Sequence, residues 1–304
     1  MDSFSGLIFL FLAVFIGYAA AQTRLVDKTA ADVLPQLLFN ICYPAMILET
    51  FASIDLATLL GSGLPIAAAT AAVTVVLLAG CLFLFRNLPR EQMALYTFLA
   101  GVGNVTFVAI PLFQVFLRAR GALVAILHGA SQDPLIWGIY NPILLSSQGG
   151  KGQSLKSILL NPCLLATFIG ILLVCFRIPV PVFLLDSISR LSSLTAPLAL
   201  LLIGMLIHQY GLFSWIADRA ALVYSCIRVL VFPLVIGGAL LPFLGLAHAG
   251  MLAILFASPA PLMAVAWATR ARSQVEFTIH CFLASTLLYL LVMAPALILL
   301  APYI

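Results

Sequence analysis

Five residues within eleven positions carry the first chemical signal. Gly101, Gly103, Asn104, Thr106 and Pro111 fall inside one apolar run, Met93 to Leu117. Glycine lets a backbone unwind, and proline interrupts the i to i−4 ladder. Asn and Thr can satisfy the backbone groups that unwinding sets free. A kink alone would need only the proline. The cluster therefore predicts an unwound segment that offers Asn104, Val105 and Thr106 to a ligand. A second cluster, Ser258-Pro-Ala-Pro261, stands in a later apolar run. Pro259 and Pro261, two positions apart, cannot both sit inside a regular helix. Helices restarting after two such breaks would expose two N-termini. Their partial positive charge suits an anion.

Ionisable groups in apolar runs call for a reason. Asp133, within Gln132-Asp133-Pro134 and preceded by His128 and Ser131, is the one acidic residue deep in such a run. It reads as a buried group bonded to a neighbouring helix, as a carboxylate carrying a coupled proton, or as a residue at a misplaced run edge. Arg228, five residues before Pro233, could pair with Asp133, bind carbonyls of an unwound segment, reach the membrane surface or touch an anion. Asn40 lies four residues before Pro44. It is either part of a structural kink or a residue facing a cavity. His280 reads as interfacial.

The elements that must position these groups follow from composition. The chain has 304 residues, 64% hydrophobic and only 8% charged, with a mean hydropathy of +1.20. A soluble domain carries about a quarter charged residues. This surface must face lipid. The net charge of +4 is scattered, with no basic stripe and no nucleic-acid partner implied. The six cysteines all stand in apolar stretches without a CxxC pair and read as small buried hydrophobes. Phe4 to Ala21 lacks the positive leader of a signal peptide and reads as a retained first span. At membrane depth, the glycosylation match Asn104-Val-Thr106 is accidental.

Hydropathy predicts an all-α membrane protein of ten spans: 4–22, 34–52, 62–85, 92–117, 121–147, 156–176, 190–209, 217–244, 247–269 and 276–301. Nine Lys and Arg fall in loops after odd-numbered spans and four after even ones. The odd side is therefore cytoplasmic, and both termini lie outside. Residues 148–157, around Gly149-Gly150-Lys151-Gly152, read as a cytoplasmic linker between repeats 1–147 and 158–304. Five spans per half give the halves opposite topology, a common transporter plan. The broken spans 4 and 9 hold corresponding places in the two halves. No Walker A pattern, GxSxG, metal-ligand cluster or carboxylate pair is present, so neither an enzyme nor a cofactor is expected.

Several motifs, taken in order, resemble the auxin efflux carrier family in its shorter bacterial form. They are Ile16-Gly-Tyr18, Leu37 to Pro44 with Asn40, Gly103 to Pro111, Asn161-Pro162 with Phe168-Ile-Gly170, Leu194 to Gly204, Arg228 to Pro233, Ser258-Pro259 to Ala268, and Ser285-Thr286. The resemblance implies two inverted five-helix repeats with spans 4 and 9 crossing at the centre. It also implies transport of small carboxylates: auxin in plants, malate or malonate in bacterial relatives. Val105 and Thr106 stand where many bacterial members have a glycine. Two other readings compete. A sodium-coupled carrier of the bile-acid type would need more acidic or amide ligands than Asn104, Thr106, Ser258, Gln132 and Asp133 supply. A receptor or assembly protein would need no broken helix. The expected partners are a small organic anion, a coupled H+ in preference to Na+, the lipid bilayer and a second copy in a homodimer. The expected location is a bacterial inner membrane.

Overall fold

The computed structural model describes residues 3–147, 156, 159–211 and 213–303. Most of the expected linker, 148–157, lies outside the described residues. Among the described residues there is no strand. The helices of the first half are α1 (Ser3–Gln22), α2 (Lys28–Leu37), α3 (Tyr43–Ser53), the short α4 (Leu56–Thr58), α5 (Leu64–Leu84), α6 (Arg90–Gly101), α7 (Ile110–Leu135) and α8 (Asn141–Ser146). Those of the second are α9 (Pro162–Cys175), α10 (Val182–Ser193), α11 (Thr195–Tyr210), α12 (Arg219–Cys226), α13 (Phe232–Phe256), α14 (Leu262–Ala271) and α15 (Val275–Leu300).

Among the described residues six helical stretches are long and apolar enough to cross a membrane: Val33–Ser53, Leu56–Leu84, Arg90–Arg118, Val182–Tyr210, Arg219–Phe256 and Val275–Leu300. Phe11–Gln22 and Pro162–Cys175 are shorter apolar helices. Large apolar side chains point outward along them, Phe243 being 81% exposed. A soluble protein would not leave so much such surface to water. Two long helices break internally. α7 breaks at Arg118, with φ 54°, and α13 at Gly245, with φ 71°. These breaks fall beside Leu117 and Leu244, where hydropathy ends spans 4 and 8.

Proline shapes the helices in a repeated way. Among the described residues five π-helical turns occur, at Leu38–Cys42, Leu59–Gly63, Val105–Ala109, Ile136–Tyr140 and Ile227–Val231. Each ends two residues before a proline: Pro44, Pro65, Pro111, Pro142 and Pro233. In each, the residue just before the proline donates its amide to the carbonyl five positions back, as Tyr43 does to Leu38 and Ile110 to Val105. The proline ring has no N–H and clashes with the carbonyl four back. One extra residue in the turn relieves that clash and keeps the helix continuous.

Close helix crossings rest on glycine. α1 lies against α11, where a Cβ on Gly17 would stand 2.8 Å from the carbonyl carbon of Leu201. The reciprocal Cβ on Gly204 would stand 2.6 Å from the amide of Tyr18. Small residues let two apolar helices meet backbone to backbone, which supplies dispersion where water is absent. Deep burial continues from α11 into α6, the first part of α7, the end of α13 and α15. Those segments surround the central site.

Candidate functional site

α6 stops at Gly101 because Val102, with φ −111° and ψ 140°, is extended. Asn104 is also non-helical, and a π turn resumes at Val105. A helix end inside an apolar interior leaves carbonyls that must find donors. Here each finds one. The Phe98 carbonyl accepts from the Val102 amide at 2.9 Å. Leu99 accepts from the Tyr224 hydroxyl at 2.9 Å, and Ala100 from Nη1 of Arg228. Gly101 accepts from Nε2 of Gln132 at 3.4 Å.

The second break repeats this accounting with other side chains. α13 ends at Phe256 and α14 begins at Leu262. The Ile254 carbonyl accepts from the Tyr289 hydroxyl at 3.0 Å. Ser258 gives its carbonyl to Nε of Arg228 at 2.9 Å. The Ala260 amide donates to Oγ of Ser285 at 3.0 Å, and that hydroxyl donates onward to the Cys281 carbonyl.

Two contacts join the breaks. The Asn104 amide donates to the Pro259 carbonyl at 2.8 Å. Arg228, only 2% exposed, spans from the end of α6 to Ser258. Its guanidinium lies where α6 presents the negative end of its dipole, which suits a cation. Gly103 makes room for this. A Cβ there would stand 2.6 Å from Nη2 of Arg228 and collide with the Ser258 hydroxyl. The Arg228 hydrogen bonds thus run to main-chain carbonyls and not to Asp133.

A cavity of about 40 Å³ opens beside the first break. Asn104, Val105, Thr106, Gln132, Asp133 and Tyr43 line it, with Pro261, Leu262 and Met263 from the second break. An aromatic wall closes it, with Phe39 packed edge-on against Phe107 at 4.8 Å and Trp137 at 6.5 Å between ring centres. The amides of Val108 and Ala109 turn back to the Asn104 carbonyl at 3.2 and 3.4 Å. A helix start leaves its earliest amides without an intrahelical acceptor. Both helix starts, at Val105 and at Leu262, border the cavity.

Three buried polar atoms at this cavity lack a hydrogen-bond partner: Nδ2 of Asn104, Oη of Tyr43 and Oδ2 of Asp133. Tyr43 and Asp133 are near neighbours, yet no bond of normal geometry joins those two atoms. Asn104 is 4% exposed and Asp133 7%. Buried polar atoms are nearly always paired, so three unpaired ones at one cavity make it the candidate site.

The predicted residues divide. Asn104, Val105, Thr106, Gln132 and Asp133 come together at the cavity, with Gly103 and Pro261 beside them. Ser258 does not line it. Its buried hydroxyl turns toward Gly103 and has no partner. Asn40 is exposed, and the neighbouring Phe39 and Tyr43 face inward instead. The reason is phase: residues four apart share a helix face, and Asn40 stands a quarter-turn from that pair. Pro44 and Pro111 act through the π turns before them, and Pro259 through its carbonyl. His280 holds Asp218 at 2.9 Å, near the start of α15. Tyr43, Tyr224, Tyr289 and Ser285 were not anticipated. Tyr43 and Ser285 carried a signal, Tyr43 four residues after Phe39 and adjacent to Pro44, Ser285 in the pair Ser285-Thr286.

Comparison with known proteins gives one family. A family model described as "Membrane transport protein" matches residues 2–154 and 150–297. No curated protein matches the chain. The matched stretches cover nearly the whole sequence, including both breaks and the cavity, and the chain therefore belongs to the auxin efflux carrier family of membrane transporters.

Proposed function

We propose that this protein is a secondary transporter of a small organic carboxylate, working by alternating access across a bacterial inner membrane. In this reading ten spans form two inverted five-helix repeats, residues 1–147 and 158–304, with both termini outside. Spans 4 and 9 are broken and cross at the cavity. The observation that carries the proposal is the pair of unpaired side-chain donors there, Nδ2 of Asn104 and Oη of Tyr43, beside a helix start. Preorganised donors and a helix N-terminus stabilise an anion without reorganising.

Asp133 makes the anion's presence conditional. A charged carboxylate beside a bound anion in a dry cavity would repel it strongly. A proton on Asp133 removes that repulsion and leaves a further hydrogen-bond donor. Substrate and proton would then move together. The cavity of about 40 Å³ has room for a water or two and not for an organic acid. The conformation described is therefore the closed one, and transport requires opening.

Flux in proteoliposomes tests this. Malate, malonate and indole-3-acetate are offered with and without a pH gradient. Flux of at least one acid, accelerated by the gradient, is expected. Asp133→Asn should abolish the acceleration. The reading fails if none of these acids moves. The proton role fails if the variant keeps the pH response.

A further inference from the structure

Beyond the central cavity lies a second one, and it rests on different residues. Glu49, Gln114, Arg118, Ser189 and Ser192 line a wide-mouthed space of about 410 Å³. That volume is in the range of a small-molecule site, whereas the central cavity's is not. Two helices connect the two spaces. On α3, Tyr43 faces the central cavity, Met46 follows, and Glu49 lines the outer space. These positions, at i, i+3 and i+6, are neighbours in turn and wind about a third of the way round the helix over roughly 9 Å. On the π turn Val105–Ala109 and the first part of α7, Thr106 and Phe107 line the central cavity, and Gln114 and Arg118 line the outer one. Both ladders run in the same direction.

Between the two spaces the ladders touch. Nε2 of Gln114 donates to Sδ of Met46 at 3.4 Å. A thioether is a weak acceptor, so this contact costs little to break. Met is also unbranched and easily repacked. Met46 is buried, and Gln114 is half-buried at the floor of the outer space. A flexible apolar side chain under a weakly held amide is a plug suited to opening.

We infer that the Glu49–Arg118–Ser192 space is a collecting vestibule for the small carboxylate, and that the Met46–Gln114 contact is the plug between it and the central cavity. The inference rests on the transporter reading. Arg118 supplies a cation for the carboxylate, and Gln114 with the serine hydroxyls supplies donors. Glu49 accepts from a hydroxyl or amine on the same solute.

Cysteine labelling tests both parts. Exposed Cys175 and Cys226 are first changed to Ser. Ser189→Cys is labelled in detergent with a bulky polyethylene-glycol maleimide, then reconstituted. Flux of malonate or indole-3-acetate should fall about tenfold or more, as when an access route is blocked. The same label on Ser187→Cys, exposed on α10 outside the vestibule, should leave flux unchanged. For the plug, Gln114→Cys in proteoliposomes meets N-ethylmaleimide. Its labelling should quicken about threefold or more while either acid is being exchanged. Full labelling of Ser189→Cys with unchanged flux would overturn the vestibule. Labelling of Gln114→Cys that ignores the acids would overturn the plug. If the unlabelled background and native chain move neither acid, the transporter reading falls instead, which keeps the two failures distinct.

Discussion

The two central breaks meet the same backbone problem with different residues, and the difference assigns them different work. At Val102–Asn104 every residue keeps its backbone N–H, Asn104 adds a side chain with an unpaired Nδ2, and a helix start borders the cavity. At Ser258–Pro261 two prolines remove two of those N–H groups, and Ser285 takes the Ala260 amide. What the second break shows the cavity is Pro261, Leu262 and Met263, an apolar surface. Its polar atoms turn away, the Ser258 carbonyl to Arg228 and the Pro259 carbonyl to Asn104. In the proposed reading, one break therefore supplies the ligand's polar contacts. The other braces it.

The largest expected effect lies in the brace. Arg228→Met removes the donor to Ala100 and Ser258 and leaves buried carbonyls unpaired. The loss should be on the order of 3 kcal/mol or more, read as a fall in melting temperature in detergent. Arg228→Lys should recover only part of it, because an ammonium is a point charge and not a planar fork. Retention of the native melting point in Arg228→Met would show that the brace is dispensable.

A smaller effect tests how tightly the breaks approach. Gly103→Ala places a methyl group against Ser258 and Arg228 and should cost about 1–3 kcal/mol. Ser258→Ala alone removes an unpaired hydroxyl and should be close to neutral. The double variant should recover part of the Gly103→Ala loss, since the collision is shared. Strict additivity in melting would separate the two breaks.

The smallest effect lies away from both, where Asp218 caps α12 through the Ala221 amide at 3.0 Å and meets His280 at 2.9 Å. Burial alone would raise this carboxyl, but the His280 and backbone hydrogen bonds outweigh it and hold it below its ordinary 3.8. A carboxyl lowered by folding contributes stability above its unfolded value and loses it as pH falls through the folded one. The melting temperature should therefore drop below about pH 4. In Asp218→Asn that part of the drop should shrink. The site is near the surface, so the difference should stay under about 1 kcal/mol. An unchanged acid limb in the variant would remove the cap from the account.

Much of the site was legible because breakers are local. Gly101, Gly103, Pro111, Pro259 and Pro261 act on their own backbone, and their effect can be read from their positions. Asn104 and Thr106 then follow as the groups nearest the break. Residues acting at a distance were not legible in that way. Tyr224 and Tyr289 cap carbonyls on other helices, Ser285 accepts an amide from the second break, and nothing in their own apolar surroundings distinguishes them from packing. Asn40 was placed by a different kind of step. A regular 3.6-residue period does not fix which side faces inward, and the π turn before Pro44 adds a residue that shifts the phase. Arg228 was read with four possible partners. Carbonyl binding was among them, but the choice depends on where α6 ends in space.

The central claim is that the first break supplies the ligand's polar contacts and the second does not. Ligand-dependent melting of purified protein tests it most directly, comparing the native chain with Asn104→Ala and Ser258→Ala. Malonate or indole-3-acetate should raise the melting temperature of the native chain and of Ser258→Ala. Asn104→Ala, folded and melting near the native temperature without ligand, should show no rise. A native-sized rise in Asn104→Ala, or its loss in Ser258→Ala, would contradict the account.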